Sequence, residues 1–335
     1  MPVQMSKLVH AGLDVPAFVD RPPWWGGDLQ TLRNRIVPGS ALLAGQSRHL
    51  QFPTSDGSGD QLTGTIETPP VKPSGPLIFL VHGLAGCEDS AYIRESARFH
   101  LLQGRRVLRL NLRGAGSSRA TCRGYYCAGC ASDLQDVMDG LDKDFVRDGI
   151  FAIGYSLGGN ILLNLLPRLR DEYAVVGAVT VSAPIHPLQA AKRLMAWRNI
   201  IYHHTLLRRM KIESLAPETG LSPQERDAIA KTRSVYEFDN NFTAPRNGFR
   251  DAEDYYERTA GMNFVRCSSV PLLMIHAEND PWIPIAPYRE LQNDPPSNVE
   301  IVITRSGGHV GFHARGSMFT WHDRLIHRFL NWISS

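Results

Sequence analysis

Gly149-Ile150-Phe151-Ala152-Ile153-Gly154-Tyr155-Ser156-Leu157-Gly158 is the stretch that decides the fold. Gly149 to Gly154 reads as a continuous apolar strand, and Leu162, Leu165, Leu166 and Leu169, at i, i+3, i+4 and i+7, read as the helix that follows. Gly154-Tyr155-Ser156-Leu157-Gly158 lies at the junction. A serine nucleophile needs its hydroxyl exposed on a tight strand-to-helix turn, with small residues two before and two after it, because strand and helix backbones nearly touch there. A glycine-rich helix N-terminus that holds an anion is the competing reading of the pentapeptide alone.

Outward from this junction the strand-then-helix rhythm repeats. Leu77 to Val81, Val107 to Leu112, Val175 to Val181, Pro271 to His276 and Val299 to Thr304 read as further buried strands. Helices are expected over Ser132 to Phe145 and from about Met318 to Ile333. Repeated β-α units predict an α/β fold with a mostly parallel central sheet flanked by helices. Upstream, Ser47 to Phe52 and Gln61 to Glu67 flank the turn-rich Ser55-Asp56-Gly57-Ser58-Gly59-Asp60 and read as a hairpin, while Pro69 to Pro76 is a stiff linker. The first forty residues read as irregular. From about Ile185 to Met262 no strong strand occurs, so this stretch reads as a helical cap. The expected organisation is residues 1–76 as an extension and hairpin joined to the sheet, 77–185 and 263–335 as the core, and 186–262 as the cap insertion.

The bulk properties exclude several classes. The chain has 335 residues, 36 Lys and Arg against 33 Asp and Glu, and a net charge of +3, which is too balanced for an electrostatic nucleic-acid binder. Hydrophobic residues make up 43% and charged residues 21%, as in a folded globular protein. Met1 to Phe18 resembles no signal segment, and Leu77 to Val81 is far short of the ~20 apolar residues that span a bilayer. A cytoplasmic monomer without stable membrane insertion is expected. Five cysteines point to reduced thiols. Cys122, Cys127 and Cys130 have the spacing C-x4-C-x2-C, which iron–sulfur proteins also show, but neither Cys87 nor Cys267 stands where a fourth ligand belongs. Partly buried thiols in a loop are the preferred reading, and no metal or organic cofactor is expected.

A serine hydroxyl needs a base, and the base needs an acid to orient it. On this fold the acid precedes the base in the chain and both follow the serine. Asp280, in His276-Ala277-Glu278-Asn279-Asp280-Pro281, is the preferred acid, with Glu278 and the remoter Asp239 as competitors. His309, in Ser306-Gly307-Gly308-His309-Val310-Gly311-Phe312, is the preferred base, with His313 as rival. His309 and His313 lack the glutamate of a zinc H-E-x-x-H motif. The N–H groups of Leu157 and of Leu84, in His82-Gly83-Leu84-Ala85-Gly86, are the expected oxyanion donors. Arg113-Gly114-Ala115-Gly116-Ser117-Ser118-Arg119 starts like a dinucleotide fingerprint, but Arg119 stands where the third glycine belongs. Arg208-Arg209-Lys211, with Trp197, Ile200 and Ile201 nearby, reads as a solvated helix face before it reads as a contact for a membrane or an anionic substrate.

These residues resemble the α/β-hydrolase superfamily and, more narrowly, the AB hydrolase 4 family of YheT-like proteins. The resemblance is carried by Trp24-Trp25 followed by Leu29-Gln30-Thr31, His82-Gly83-Leu84-Ala85-Gly86, Arg113-Gly114, Gly154-Tyr155-Ser156-Leu157-Gly158-Gly159-Asn160, Glu237-Phe238-Asp239, His276-Ala277 with Asp280-Pro281, and Gly307-Gly308-His309-Val310-Gly311-Phe312. It spans nearly the whole chain. It implies the α/β-hydrolase fold, a charge-relay triad of Ser156, Asp280 and His309, and hydrolysis of small-molecule carboxylic esters, with acyl transfer to alcohols known among relatives. Cys122, Cys127 and Cys130 stand outside the pattern. The expected function is a serine esterase for short- to medium-chain acyl groups working through an acyl-enzyme. An acyltransferase with the same triad and a non-catalytic binding module on the same scaffold are the alternatives.

Overall fold

The computed structural model describes residues 12–39 and 46–335. Part of the leader reading of Met1 to Phe18 therefore lies outside the described residues. Eight strands form one sheet: β1 (Gln46–Pro53), β2 (Gln61–Thr68), β3 (Leu77–Val81), β4 (Val107–Asn111), β5 (Ile150–Tyr155), β6 (Val175–Val181), β7 (Leu272–Ala277) and β8 (Val299–Thr304). Their order is β1-β2-β4-β3-β5-β6-β7-β8. The β1–β2 and β2–β4 pairs are antiparallel and every other pair is parallel.

Alternation along each central strand feeds two cores. Ile78 and Leu80 pack with Phe151, Ile153, Val179 and Leu273 on one face, and Leu77, Phe79 and Val81 pack with Ile150, Ala152 and Met274 on the other. Both faces are buried, so these strands read as unbroken apolar runs. Twelve α-helices are described: α1 (Gly26–Ile36), α2 (Ala91–Leu102), α3 (Ala131–Asp139), α4 (Leu157–Leu165), α5 (Pro187–Met195), α6 (Ile200–Ser214), α7 (Pro223–Lys231), α8 (Val235–Phe238), α9 (Ala244–Arg246), α10 (Ala252–Arg258), α11 (Ala286–Asn293) and α12 (Trp321–Ile333). Leu325, Ile326, Phe329 and Leu330 of α12 cover the first face beside Ile93 and Ala97 of α2. Leu134 and Val137 of α3, with Ile161 and Leu162 of α4, cover the second. Each such side chain, fully buried, contributes roughly 1.5–3 kcal/mol.

Three expectations need correction. The first forty residues are not wholly irregular, since α1 occupies Gly26–Ile36. Its inward side chains include Gln30, Thr31 and Arg33, so the apolar pattern that marks a core-facing helix is missing. Helix α3 stops at Asp139 rather than Phe145, where Gly140 closes it, and a Cβ at Gly140 would lie 2.9 Å from the Phe52 ring. Helix α4 ends at Leu165, and Leu166–Arg168 tightens to a 3-10 turn that leaves Leu169 outside. Pro167 causes this, because it has no N–H to continue the ladder.

Between β6 and β7 the chain makes α5 through α10. Ser222 and Glu225 form a reciprocal capping box at the start of α7, with Pro223 in its first turn. Among the described residues no helix is long and apolar enough to cross a membrane.

Candidate active site

Ser156 sits between β5 and α4 with φ 51° and ψ −123°. A non-glycine residue held there carries roughly 1–3 kcal/mol of strain, which the surrounding packing must sustain. That packing has no room for side chains at the flanking glycines. A Cβ on Gly154 would lie 2.6 Å from the Gly158 carbonyl, and one on Gly158 would lie 2.5 Å from that of Val81.

The Ser156 hydroxyl donates to Nε2 of His309 at 2.9 Å, and Nδ1 of His309 donates to Oδ2 of Asp280 at 2.9 Å. The carboxylate only accepts, and this fixes the proton on Nδ1 and leaves Nε2 free to take one. Asp280 lies in the turn after β7, and its Oδ1 receives the N–H groups of Trp282 at 2.8 Å and Ile283 at 3.0 Å. Burial pushes the Asp280 carboxyl up, but the neighbouring His309 and the hydrogen bonds outweigh it and hold the group below its ordinary value. The Trp282 ring lies 4.4 Å from the His309 imidazole, centroid to centroid.

The backbone of the His309 loop is pinned by three segments. Gly308 N–H donates to Asn279 Oδ1 at 3.0 Å, His309 N–H to Thr31 Oγ1 at 2.8 Å, and Val310 N–H to Ser182 Oγ at 3.2 Å. Gln30 of α1 grips the next turn, accepting the His313 N–H at 2.7 Å and donating to the His313 carbonyl at 3.0 Å. None of these anchors was singled out for a role from the sequence. Gln30 and Thr31 were legible only as part of the family pattern.

After β3, His82 Nδ1 donates to the Gly83 carbonyl at 2.8 Å and its Nε2 accepts the Leu112 N–H at 3.1 Å. Burial lowers the His82 pKa to about 4, so the ring is a neutral strut. Gly83 N–H donates to the Tyr92 hydroxyl at 2.8 Å and Ala85 N–H to the Tyr126 hydroxyl at 2.7 Å. The Leu84 N–H between them has no acceptor among the described residues. Leu157 opens α4, where the first N–H groups of a helix lack intrahelical partners. The two tyrosines were not foreseen.

The competing acids and base have other partners. Glu278 pairs with Arg289 at 2.6 Å. His313 meets Asn34 Oδ1 at 3.0 Å, and burial lowers its pKa to about 2. Asp239 accepts from the Tyr256 hydroxyl at 2.7 Å, and burial raises its carboxyl to about 6. The three clustered cysteines do not converge. Cys127 and Cys130 have their sulfurs 3.3 Å apart, whereas the Cys122 thiol donates to the Gln61 carbonyl. Among the described residues no group of three or more His, Cys, Asp or Glu side chains is arranged to hold a metal ion.

A cavity of about 530 Å³ opens beside Ser156 and His309. Leu194, Leu206, Met210 and Val235 give it an apolar wall, and Asp239, Tyr255 and Tyr256 give it a polar end. A partly exposed hydroxyl hydrogen-bonded to an imidazole, beside an apolar cavity, is an arrangement suited to acyl transfer.

YheT of Escherichia coli strain K12 is 29% identical over 287 residues, covering 85% of this chain and 83% of that protein. The monoacylglycerol lipase of Saccharomyces cerevisiae is 27% identical over 267 residues, covering 76% of this chain and 59% of the lipase. Among solved structures, the Pyrococcus furiosus esterase Pf2001 shares the fold with a TM-score of 0.57 at 16% identity, over 96% of this chain and 100% of that one. The model of the alpha/beta hydrolase family matches residues 78–318, and the chain belongs to that family.

Proposed function

We propose that the protein is a serine hydrolase of carboxylic esters that works through an acyl-enzyme on Ser156. The observation that carries this reading is the unbroken hydrogen-bond line Asp280–His309–Ser156, with 2.9 Å at each link. His309 takes the Ser156 proton on Nε2 while Oγ attacks the ester carbonyl. Asp280 holds the ring in place and stabilises it once charged. The N–H groups of Leu84 and Leu157 receive the oxyanion. His309 then hands its proton to the departing alcohol, deprotonates a water, and so releases the acid and restores Ser156.

In this reading residues 186–262 are a cap whose α5 and α6 supply the apolar wall for a short- to medium-chain acyl group. Five unpaired thiols favour a reducing compartment, hence the cytoplasm, and the enzyme works there as a monomer without cofactor. Ser156→Ala is expected to lower hydrolysis of p-nitrophenyl butyrate by about 10⁶, the loss seen when a triad acts as a unit. Near-normal turnover by the folded variant refutes the assignment. A panel of p-nitrophenyl esters and monoacylglycerols of rising chain length identifies the acyl group, and adding an alcohol separates hydrolysis from transfer.

A further inference from the structure

Helix α1 is inside out. Gln30, Thr31 and Arg33 face inward, while Trp25 at its cap, Leu29 and Ile36 are exposed. These three fall at i, i+4 and i+11, along one outer stripe. A helix of a soluble domain ordinarily turns such a stripe to the core.

Helix α6 lies alongside. Asp28 of α1 accepts from Arg198 at 2.7 Å and from the Tyr202 hydroxyl at 3.0 Å. Trp197, in the turn leading into α6, and Ile201 and Ile212 on its outer stripe face solvent, the first two with 86% and 79% of their surface exposed. Large apolar side chains so far out in water, gathered on two linked helices, mark a contact surface. Its charge is one-sided. Arg35 of α1 and Arg208 and Arg209 of α6 are exposed, and Asp28, the only acid within residues 25–36 and 197–212, is already paired with Arg198. Arg35 and Arg209 also stand at the cavity that holds Ser156.

We propose that this face docks the protein on an anionic lipid surface. Trp25, Leu29, Trp197 and Ile201 insert shallowly among the acyl chains and the arginines pair with acidic headgroups, so that the cavity mouth meets the interface. Tryptophan with aliphatic residues on a basic face is the composition that partitions into the headgroup boundary. The cationic character selects anionic lipid. The protein lies on the bilayer, since no described helix can span it.

The test is co-sedimentation of the full chain with vesicles and does not require turnover, so it stands apart from the Ser156 assignment. Binding is expected to vesicles of equal parts phosphatidylglycerol and phosphatidylcholine, is weak with phosphatidylcholine alone, and is lost at about 1 M salt. Trp197→Ala with Ile201→Ser lowers the partition coefficient about tenfold or more. Arg208→Glu lowers it roughly tenfold. Both variants keep the melting temperature and the hydrolysis of a short soluble ester. Failure to bind either vesicle overturns the proposal, as does equal binding to both with no response to Arg208→Glu. A concentration-dependent dimer in sedimentation velocity that Trp197→Ala with Ile201→Ser dissociates also overturns it, and gives the face to a second copy of the chain.

Discussion

Replacing Gly83 by alanine probes the loop that presents the Leu84 N–H. A Cβ at Gly83 would lie 2.8 Å from the Ser156 Cβ, 3.1 Å from the Tyr155 carbonyl oxygen and 3.4 Å from the Ser156 hydroxyl. Ser156 cannot retreat, because its backbone is held by the 2.8 Å bond from its N–H to the Val181 carbonyl and by the close packing at Gly154 and Gly158. The loop must move instead, by about 0.6 Å to restore ordinary contact. Gly83 does not need a positive φ, so the cost is steric and local. The shift stretches the Gly83 N–H bond to Tyr92 and carries the Leu84 N–H away from the developing oxyanion. Misplacement on this scale costs roughly 10- to 100-fold in kcat, about 1.4–2.7 kcal/mol, below the ~10³ loss from removing a donor outright. The assay is initial-rate hydrolysis of p-nitrophenyl butyrate, with KM little changed and thermal melting as the check on folding. A folded variant with undiminished kcat refutes the claim that this loop stabilises the transition state.

Other consequences can be measured in the same way. Asp280→Asn removes the acceptor that fixes the His309 tautomer, and kcat falls about 10⁴-fold while ester binding persists. Thr31→Val leaves the His309 N–H without its acceptor, at ~1–3 kcal/mol, and lowers kcat about tenfold or more, whereas Thr31→Ser restores it. The Asp239 carboxyl keeps its proton to about pH 6 when folded, against an ordinary 3.8. Folding therefore takes up a proton between these values, and stability falls as pH rises through that window, by up to about 3 kcal/mol. Asp239→Asn removes this fall, so urea melts show the variant gaining on the native protein at pH 8 and losing the advantage below about pH 4. Equal pH dependence in the two proteins contradicts the assignment.

Strands β3 to β8 were legible to within a residue or two, because a strand buried on both faces is mostly apolar, and Arg109, Asn111 and Glu300 interrupt these runs only singly. The tight strand-to-helix turn at Ser156 was legible because close backbone approach leaves a glycine signature on both sides of it. His309 and Asp280 were ranked by chain order and turn chemistry, with Glu278 and His313 as rivals; in the fold Glu278 pairs with Arg289 and His313 with Asn34. The supports were not legible as supports. Thr31, Ser182 and Asn279 act on a loop remote in sequence through single hydrogen bonds, and no periodicity records such a bond. Helix α1 was missed for the same reason, since it buries Gln30 and Thr31 for their hydrogen bonds and leaves its apolar stripe outside.

The grip of Gln30 on the His313 backbone joins residues 283 positions apart. On a ribosome adding 5–20 residues per second, Gln30 emerges roughly 15–60 s before the segment it holds. The turn at Ser156 and all eight strands precede that segment in the chain, and the imidazole cannot be locked until residues 309–313 have emerged. Such long-range closure is slow and comes late. Nascent or truncated copies that lack residues 309–313 would then present Ser156 without its imidazole partner.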